Sequence, residues 1–339
     1  MCAHTFASAI ILTRLSLDEI RYPVDSHSMP EISHEPDLRR VTRDDRNIPS
    51  IEWPTVAVAG AIYLSFGALT WWHALIPNWL LALLGGYVVA WHGSLQHEVV
   101  HGHPTRSGGF NVALVLPSLW LWLPFRRYRE THLRHHYNAR LTRPDSDPES
   151  YYLPATAWQE LGTLHRTILR AHNTLVGRLT LGPPIAVARF YRDEWRRWSH
   201  GAGDVRAWAD HAVGVALVFG WAVGVCGMSP LSYLLLFAYP GTALTLLRSF
   251  AEHRAREPID ERTIVIESRL PLSLMFLYNN LHAVHHRHPD MAWYRLPARW
   301  RIEREQILTA NGGYTIPGYL ALARRYLLTA KEPVAHPYD

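Results

Sequence analysis

Gln96-His97-Glu98-Val99-Val100-His101-Gly102-His103 is the stretch on which the fold turns. Read alone, His97-Glu98-x-x-His101 has the form of a zinc-protease signature, two imidazoles one helical turn apart with a glutamate base between them. Two further clusters contradict that reading: His132-Leu133-Arg134-His135-His136 and His282-Ala283-Val284-His285-His286. On a helix, residues i, i+3 and i+4 share a face, so each box offers two or three imidazoles in one direction. Four protein ligands saturate a zinc ion, so eight histidines are too many for one zinc and suit two metals. A ninth candidate is His253, in Arg248-Ser249-Phe250-Ala251-Glu252-His253-Arg254.

Around the boxes, Glu98, Glu252, Asn279 and Asn280 are expected to orient ligands or to hold a metal-bound water. His92 is expected to be a core histidine, and His103 and His288 flank boxes without joining the set. Asp145, Asp147 and Glu149 follow the second box beside Pro144 and Pro148, the composition of an acidic turn. The three boxes are rich in histidine rather than carboxylate, so the soluble four-helix carboxylate type of two-metal site does not fit.

Outward from the first box, Trp53 to His97 is 45 residues without Asp, Glu, Lys or Arg, interrupted by Pro77-Asn78. At ~20 residues per span this predicts two transmembrane helices joined by a tight turn, with Trp71, Trp72 and Trp79 as interfacial aromatics. His211 to Leu247 is a second uncharged run, 37 residues long, broken at Gly227-Met228-Ser229-Pro230, and predicts a second hairpin. Ser107 to Phe125 is uncharged too, but Pro117 and Pro124 break it; it is expected to return to the side it left. The run Leu270 to Leu277 is too brief to span. The sequence thus predicts an all-α integral membrane fold, four transmembrane helices in two hairpins with a cytosolic helical cap. Residues 1–50 are expected to be a partly disordered N-terminal cytoplasmic segment, 51–310 the membrane domain with its cap, and 311–339 a C-terminal cytoplasmic tail. Met29 opens an alternative start.

Charge supports this orientation. Arginine supplies 33 of the 34 basic residues, with Lys331 the one lysine, and residues 126–206 hold fourteen Arg against eight Asp plus Glu. Both hairpin turns are uncharged, so the positive-inside rule puts the N-terminal segment, the middle loop and the C-terminal segment in the cytoplasm. All three boxes then share one face. Arg189 to Trp198 is basic and aromatic, as in a helix lying on a membrane surface. The net charge of +5 and pI of about 9.3 come with no basic helix, Cys-based finger or stacking motif. Nucleic acid is therefore not an expected partner, and anionic lipid head groups are the simpler one. Cys2 and Cys226 make neither a disulfide framework nor a cysteine metal site.

The three boxes, with these intervals between apolar hairpins, resemble the membrane fatty acid desaturase superfamily, which includes carotenoid ketolases and hydroxylases and alkane hydroxylases. The resemblance covers roughly residues 50 to 300. It implies a histidine-ligated pair of iron ions and O2-dependent C–H chemistry, with His97, His101, His132, His135, His136, His253, His282, His285 and His286 as ligands. Glu98 stands where many members have Asp. His285 to Pro297 looks like the end of the third box in bacterial acyl desaturases and in ketolases, while the long 126–206 segment favours the acyl-chain branch. The implied activity is desaturation of a fatty acyl chain. The same fold also serves hydroxylases, ketolases and terminal-alkene-forming decarboxylases. A zinc intramembrane protease is the remote alternative, lacking the later-span Asp it would need, and a structural metal protein is the other. No cytochrome b5 haem signature is present, so electrons are expected from a separate donor of ferredoxin, rubredoxin or cytochrome b5 type. The expected location is a bacterial inner membrane.

Overall fold

The computed structural model describes residues 50–338. The expectations for the N-terminal segment and for Met29 lie outside the described residues. Helix α1 (Trp53–Trp71) begins with Pro54 in its first turn, where a missing N–H costs nothing. A short turn at His73–Leu75 leads into α2 (Asn78–Val100). Trp71, Trp72 and Trp79 are exposed around this turn, as interfacial aromatics would be.

Helix α2 is the axis of the molecule: Leu81 and nearly every residue from Gly85 to Val100 are buried. It is crossed by a 23-residue helix, Pro230–Glu252, made of α10 (Pro230–Tyr233), a π-helical stretch at Leu234–Ala238 and α11 (Tyr239–Glu252). The crossing is backbone-close. A Cβ on Gly86 would lie 2.8 Å from Pro240 Cβ, and one on Gly241 would lie 2.4 Å from Val89 Cβ. Small residues at a crossing permit this approach.

Among the described residues, three helices are long and apolar enough to cross a membrane: Trp53–Trp71, Val205–Val225 and Pro230–Glu252. The second is α9 (Val205–Phe219) continued through a π-helical stretch to Val225. Helix α2, expected as a fourth, is long enough at 23 residues. Its last two turns carry His92, Ser94, Gln96, His97 and Glu98, all buried, which dilutes its hydropathy. The polar end that disqualifies α2 by composition is the end that carries the first box.

The Ser107–Phe125 segment forms only α3 (Gly108–Leu114) and then turns, with Ser118 N–H bonding the Gly214 carbonyl at 3.3 Å. It sends Trp120 against α2, where the indole Nε1 donates to the Val89 carbonyl at 3.0 Å. A Cβ on Gly93 would come within 2.0 Å of Trp120 Cζ2. Gly93→Ala should therefore overpack this contact and destabilise the protein by ~1–3 kcal/mol, seen as a lowered Tm in detergent. An unchanged Tm would mean that Trp120 can move freely.

The polar elements form a cap on one end of these helices. They are α4 (Phe125–His136), α5 (Ala155–Glu160), α6 (Thr163–His172), α7 (Leu175–Thr180) and α8 (Gly182–Ser199). After α11 come β1 (Val265–Ile266), α12 (Leu272–Met275), α13 (His282–Arg287), α14 (Leu296–Ala310), β2 (Thr315–Ile316) and α15 (Tyr319–Tyr326). The all-α expectation needs one small correction: β1 and β2 pair in parallel, Val265 opposite Thr315. Helix α8 carries exposed Tyr191, Trp195 and Trp198 among its arginines, the pattern read as surface-lying.

Candidate metal centre

Every box histidine stands on a helix end. His97 and His101 close α2, His132, His135 and His136 close α4, and His282, His285 and His286 lie on α13. His253 follows α11 directly, where the backbone turns extended. Leu277 and Tyr278, ahead of the third box, hold left-handed φ of 46° and 55°. That conformation is unfavourable for side chains of this size. It is held by the Tyr278 N–H on the Ser273 carbonyl at 2.8 Å and by the Tyr278 ring stacked on Trp293.

The nine histidines converge in two groups. His97, His101, His132, His136 and His285 form one, and His135, His253, His282 and His286 form the other. Within each group the ligating atoms all lie within 4.8 Å of one another. His132 Nε2 to His136 Nε2 is 3.0 Å, and His136 Nε2 to His285 Nε2 is 3.0 Å. In the second group, His253 Nε2 lies 3.1 Å from His135 Nε2 and 3.0 Å from His282 Nε2. Two nitrogens bound at 90° to one metal at ~2.1 Å would sit ~3.0 Å apart. The donor sets thus fit metal ions, and five nitrogens in the first group exceed what tetrahedral zinc takes.

The outer ring nitrogens are held from behind. His132 Nδ1 pairs with Glu149 Oε1 and His135 Nδ1 with Asp147 Oδ1, each at 2.8 Å. His282 Nδ1 meets Asn279 Oδ1 at 3.1 Å and Glu252 Oε1 at 3.3 Å. Such partners take the Nδ1 proton and turn the Nε2 lone pair inward. His101 Nε2 is buried with no partner, the orphan a metal ligand leaves.

Burial, then the neighbouring histidines, hold His101, His136, His253, His282, His285 and His286 well below the usual imidazole range. These rings are neutral and ready to ligate at pH 7. His135 is the exception. Burial opposes its charge, but Glu149 and Asp147 outweigh burial and push it up to about 9. Glu149 goes far below the carboxylate range, because His132 and His135 overcome the cost of burying it.

Of the four residues expected to support the ligands, two do so directly. Asn279 reaches both His282 and His97, the latter at 3.3 Å, and Glu252 faces His282 while pairing with Arg248 at 2.7 Å. Glu98 is buried and accepts the Trp293 N–H at 3.2 Å, tying α2 to the segment after the third box. The Asn280 amide donates to the Ile266 carbonyl at 2.7 Å, beside β1, while its Oδ1 is buried with no hydrogen-bond partner among the described residues. His92 is a core histidine beside the Tyr63 hydroxyl, as expected. His103 pairs with Glu52 at 2.8 Å and His288 with Glu303 at 2.8 Å. Asp147 and Glu149, read from the sequence as an acidic turn, stand directly behind His135 and His132. A carboxylate twelve or seventeen residues beyond a ligating histidine was the only signal.

A strap from the chain's end completes the second group. The buried Lys331 donates through Nζ to the His253 carbonyl, which also accepts the Tyr151 hydroxyl at 3.0 Å. Lys331 N–H bonds the Asn173 carbonyl at 3.0 Å, and His336 N–H bonds the Leu153 carbonyl at 2.9 Å.

The family model for fatty acid desaturases matches residues 69–318 and so takes in all three boxes and His253. The chain belongs to the fatty acid desaturase family. Membership makes it an oxidoreductase of a membrane-type family whose centres are normally di-iron, and two buried histidine clusters able to hold metal agree with that. The family implies a lipid substrate and O2. A search of curated proteins returns no match to the chain. The zinc-protease reading of the first box is not sustained. His97 and His101 share their group with three histidines from two other helices, and Glu98 is bonded to the Trp293 backbone.

Proposed function

We propose that this chain is an O2-dependent di-iron desaturase that introduces a double bond into a fatty acyl chain at the cytoplasmic membrane face. The observation that carries this reading is the convergence of nine histidines from four elements into groups of five and four. His97, His101, His132, His136 and His285 would hold one iron; His135, His253, His282 and His286 would hold the other. When bound, the pair supplies O2 activation and the oxidising power to remove hydrogen from an unactivated C–H bond.

The protein's own part is placement and exclusion. Asp147, Glu149, Asn279 and Glu252 fix the imidazoles through Nδ1. The chain Leu119, Trp120, Tyr128 and His132 leads from a cleft between α1 and α9 to the first group. The Trp120 and Tyr128 rings are 6.1 Å apart, and those of Tyr128 and His132 are 5.6 Å apart. That cleft has a volume of about 740 Å³ and a lining almost wholly apolar, including Phe66, Leu119, Leu217 and Trp221. Its size and character suit an acyl chain. Helix α2 is the fourth span in this reading, which makes two hairpins with both termini cytoplasmic, in a bacterial inner membrane. An external donor of ferredoxin, rubredoxin or cytochrome b5 type docks on the arginine-rich cap.

The test is expression in a host with a simple lipid profile, beside a His135→Ala control. A new double bond should appear only with the intact chain. Hydroxylated or ketonic product without new unsaturation would overturn the desaturase assignment and keep the family.

The two groups should also differ in pH response. Below about 9, His135 in the metal-free protein carries a proton that a metal ion must displace. Affinity at the second group should therefore rise with pH up to about 9, by ~tenfold per unit for one proton released. At the first group, His101, His136 and His285 are already neutral at pH 7, so affinity should change little above it. Metal titrations at pH 6.5 and 8.5 check this, and equal pH dependence at both sites would contradict it.

A further inference from the structure

Four arginines are buried among the described residues: Arg127, Arg178, Arg248 and Arg262. Three have oxygen partners. Arg127 pairs with Glu194 at 2.7 Å, Arg248 with Glu252 at 2.7 Å, and Arg262 donates to the Arg256 carbonyl at 2.6 Å. Arg178, on α7 and only 4% exposed, has none among the described residues. Its guanidinium lies over the rings of Tyr151 and Phe250, 5.0 and 5.6 Å from their centroids. Its Nε is sealed from solvent without an acceptor.

No carboxylate faces the Arg178 guanidinium among the described residues, although Glu332 lies beside Lys331 and Tyr152 and Asp193 beside Arg189. Lys331 Nζ sits over the same two rings, at 5.7 and 5.8 Å. A Cβ on Gly182 would lie 3.5 Å from Arg178 Cδ and 3.7 Å from His172 Nε2, so those side chains meet over this glycine. Burial, followed by Arg178 and Arg189, pulls His172 down to about 3. Burial also lowers Arg178 to about 10, with Arg189 working in the same direction and Tyr151 against it. A buried cation without a counter-charge is among the costliest features a fold can hold. With only aromatic rings against it and no carboxylate facing it, an anion is the group that would relieve it.

We propose that Arg178, with His172, Arg189 and Lys331, binds the anionic head group of a lipid, a phosphate or a carboxylate. A lipid is favoured over a free ion by the site's position. Helix α7 lies against α11, part of a helix of membrane-crossing length, and Tyr239 on α11 donates to the Thr180 carbonyl. Exposed Val176, Leu181 and Tyr239 flank the contact with apolar surface for an acyl chain. The site adjoins the second histidine group, because Lys331 and Tyr151 both donate to the His253 carbonyl, but it does not depend on which reaction the histidines perform.

The test is thermal unfolding of the full chain in zwitterionic detergent. It is titrated separately with phosphatidylglycerol, with oleate and with inorganic phosphate. The wild-type Tm should rise saturably with either lipid. In Arg178→Met the apparent affinity for lipid should fall at least ~tenfold. Without lipid, that variant should melt no lower than wild type, because removing an unpaired buried charge costs little. Arg178→Lys should respond between the two, and Arg324→Gln, an exposed control, should respond as wild type does. A wild type insensitive to all three additions would overturn the proposal. So would an Arg178→Met that responds like wild type or that melts far below it in plain detergent. A response to inorganic phosphate as large as that to lipid would overturn the lipid source. If Arg178→Met does not fold, Arg178→Lys and His172→Gln carry the comparison, and an undiminished lipid response in both overturns the site.

Discussion

His253→Ala should leave a folded protein that retains about one iron per chain in place of about two and makes no detectable product. His253 is the one member of the second group that comes from outside the boxes, and its Nε2 sits between those of His135 and His282 at 3.1 and 3.0 Å. Removing it opens that group and leaves the first group's five nitrogens untouched. The backbone should survive, because the strap holds His253 by its carbonyl, which alanine keeps. Activity should fall by more than ~100-fold, the upper end of what losing an orienting partner alone costs. Iron per chain by elemental analysis, read beside product by mass spectrometry, checks both halves. Two irons retained with normal product would remove His253 from the site.

Asp147→Ala should lower both iron retention and stability. The carboxylate is buried and serves three donors at once: His135 Nδ1 at 2.8 Å, Thr142 N–H at 2.7 Å and Glu149 N–H at 2.9 Å. Each buried donor left unsatisfied costs ~1–3 kcal/mol. Loss of the partner behind a ligating histidine costs ~10–100-fold in metal affinity or activity. Asp147→Asn keeps one acceptor oxygen and should fall between alanine and wild type. Tm and the rate of iron loss to a chelator separate the two effects. A variant that loses stability but holds iron normally would make Asp147 a fold residue alone.

The boxes and apolar runs were legible because they rest on local spacing. Charge-free stretches of span length and i, i+3, i+4 histidines need no tertiary knowledge. The division of labour within each box was not legible. His132 and His136 belong to the first group while His135 belongs to the second; His282 and His286 belong to the second while His285 crosses to the first. Residues at i+3 and i+4 diverge by ~100° around a helix, so the second and third boxes each straddle the two groups. Which metal each residue meets depends on how α4 and α13 approach each other, a relation spacing does not carry. The turn after α4 likewise brings Asp147 and Glu149 back behind the imidazoles, a placement that an acidic turn in the sequence does not specify. Adjacency in sequence likewise does not say that Asn279 reaches His97 and His282 while the Asn280 amide meets the Ile266 carbonyl. Helix α2, expected from the sequence as a span, falls short by composition because the first box takes the place of apolar residues at its end.

The strap through Lys331 ties the second group to a distant part of the sequence, with 45 residues separating His286 from Lys331. The His253 carbonyl gains its lysine partner only once that residue is in place. A chain stopped short of Lys331 would keep the five nitrogens of the first group and lose a contact that steadies the second. The two groups therefore differ in how late in synthesis they can close, the second waiting on a contact that the first does not need.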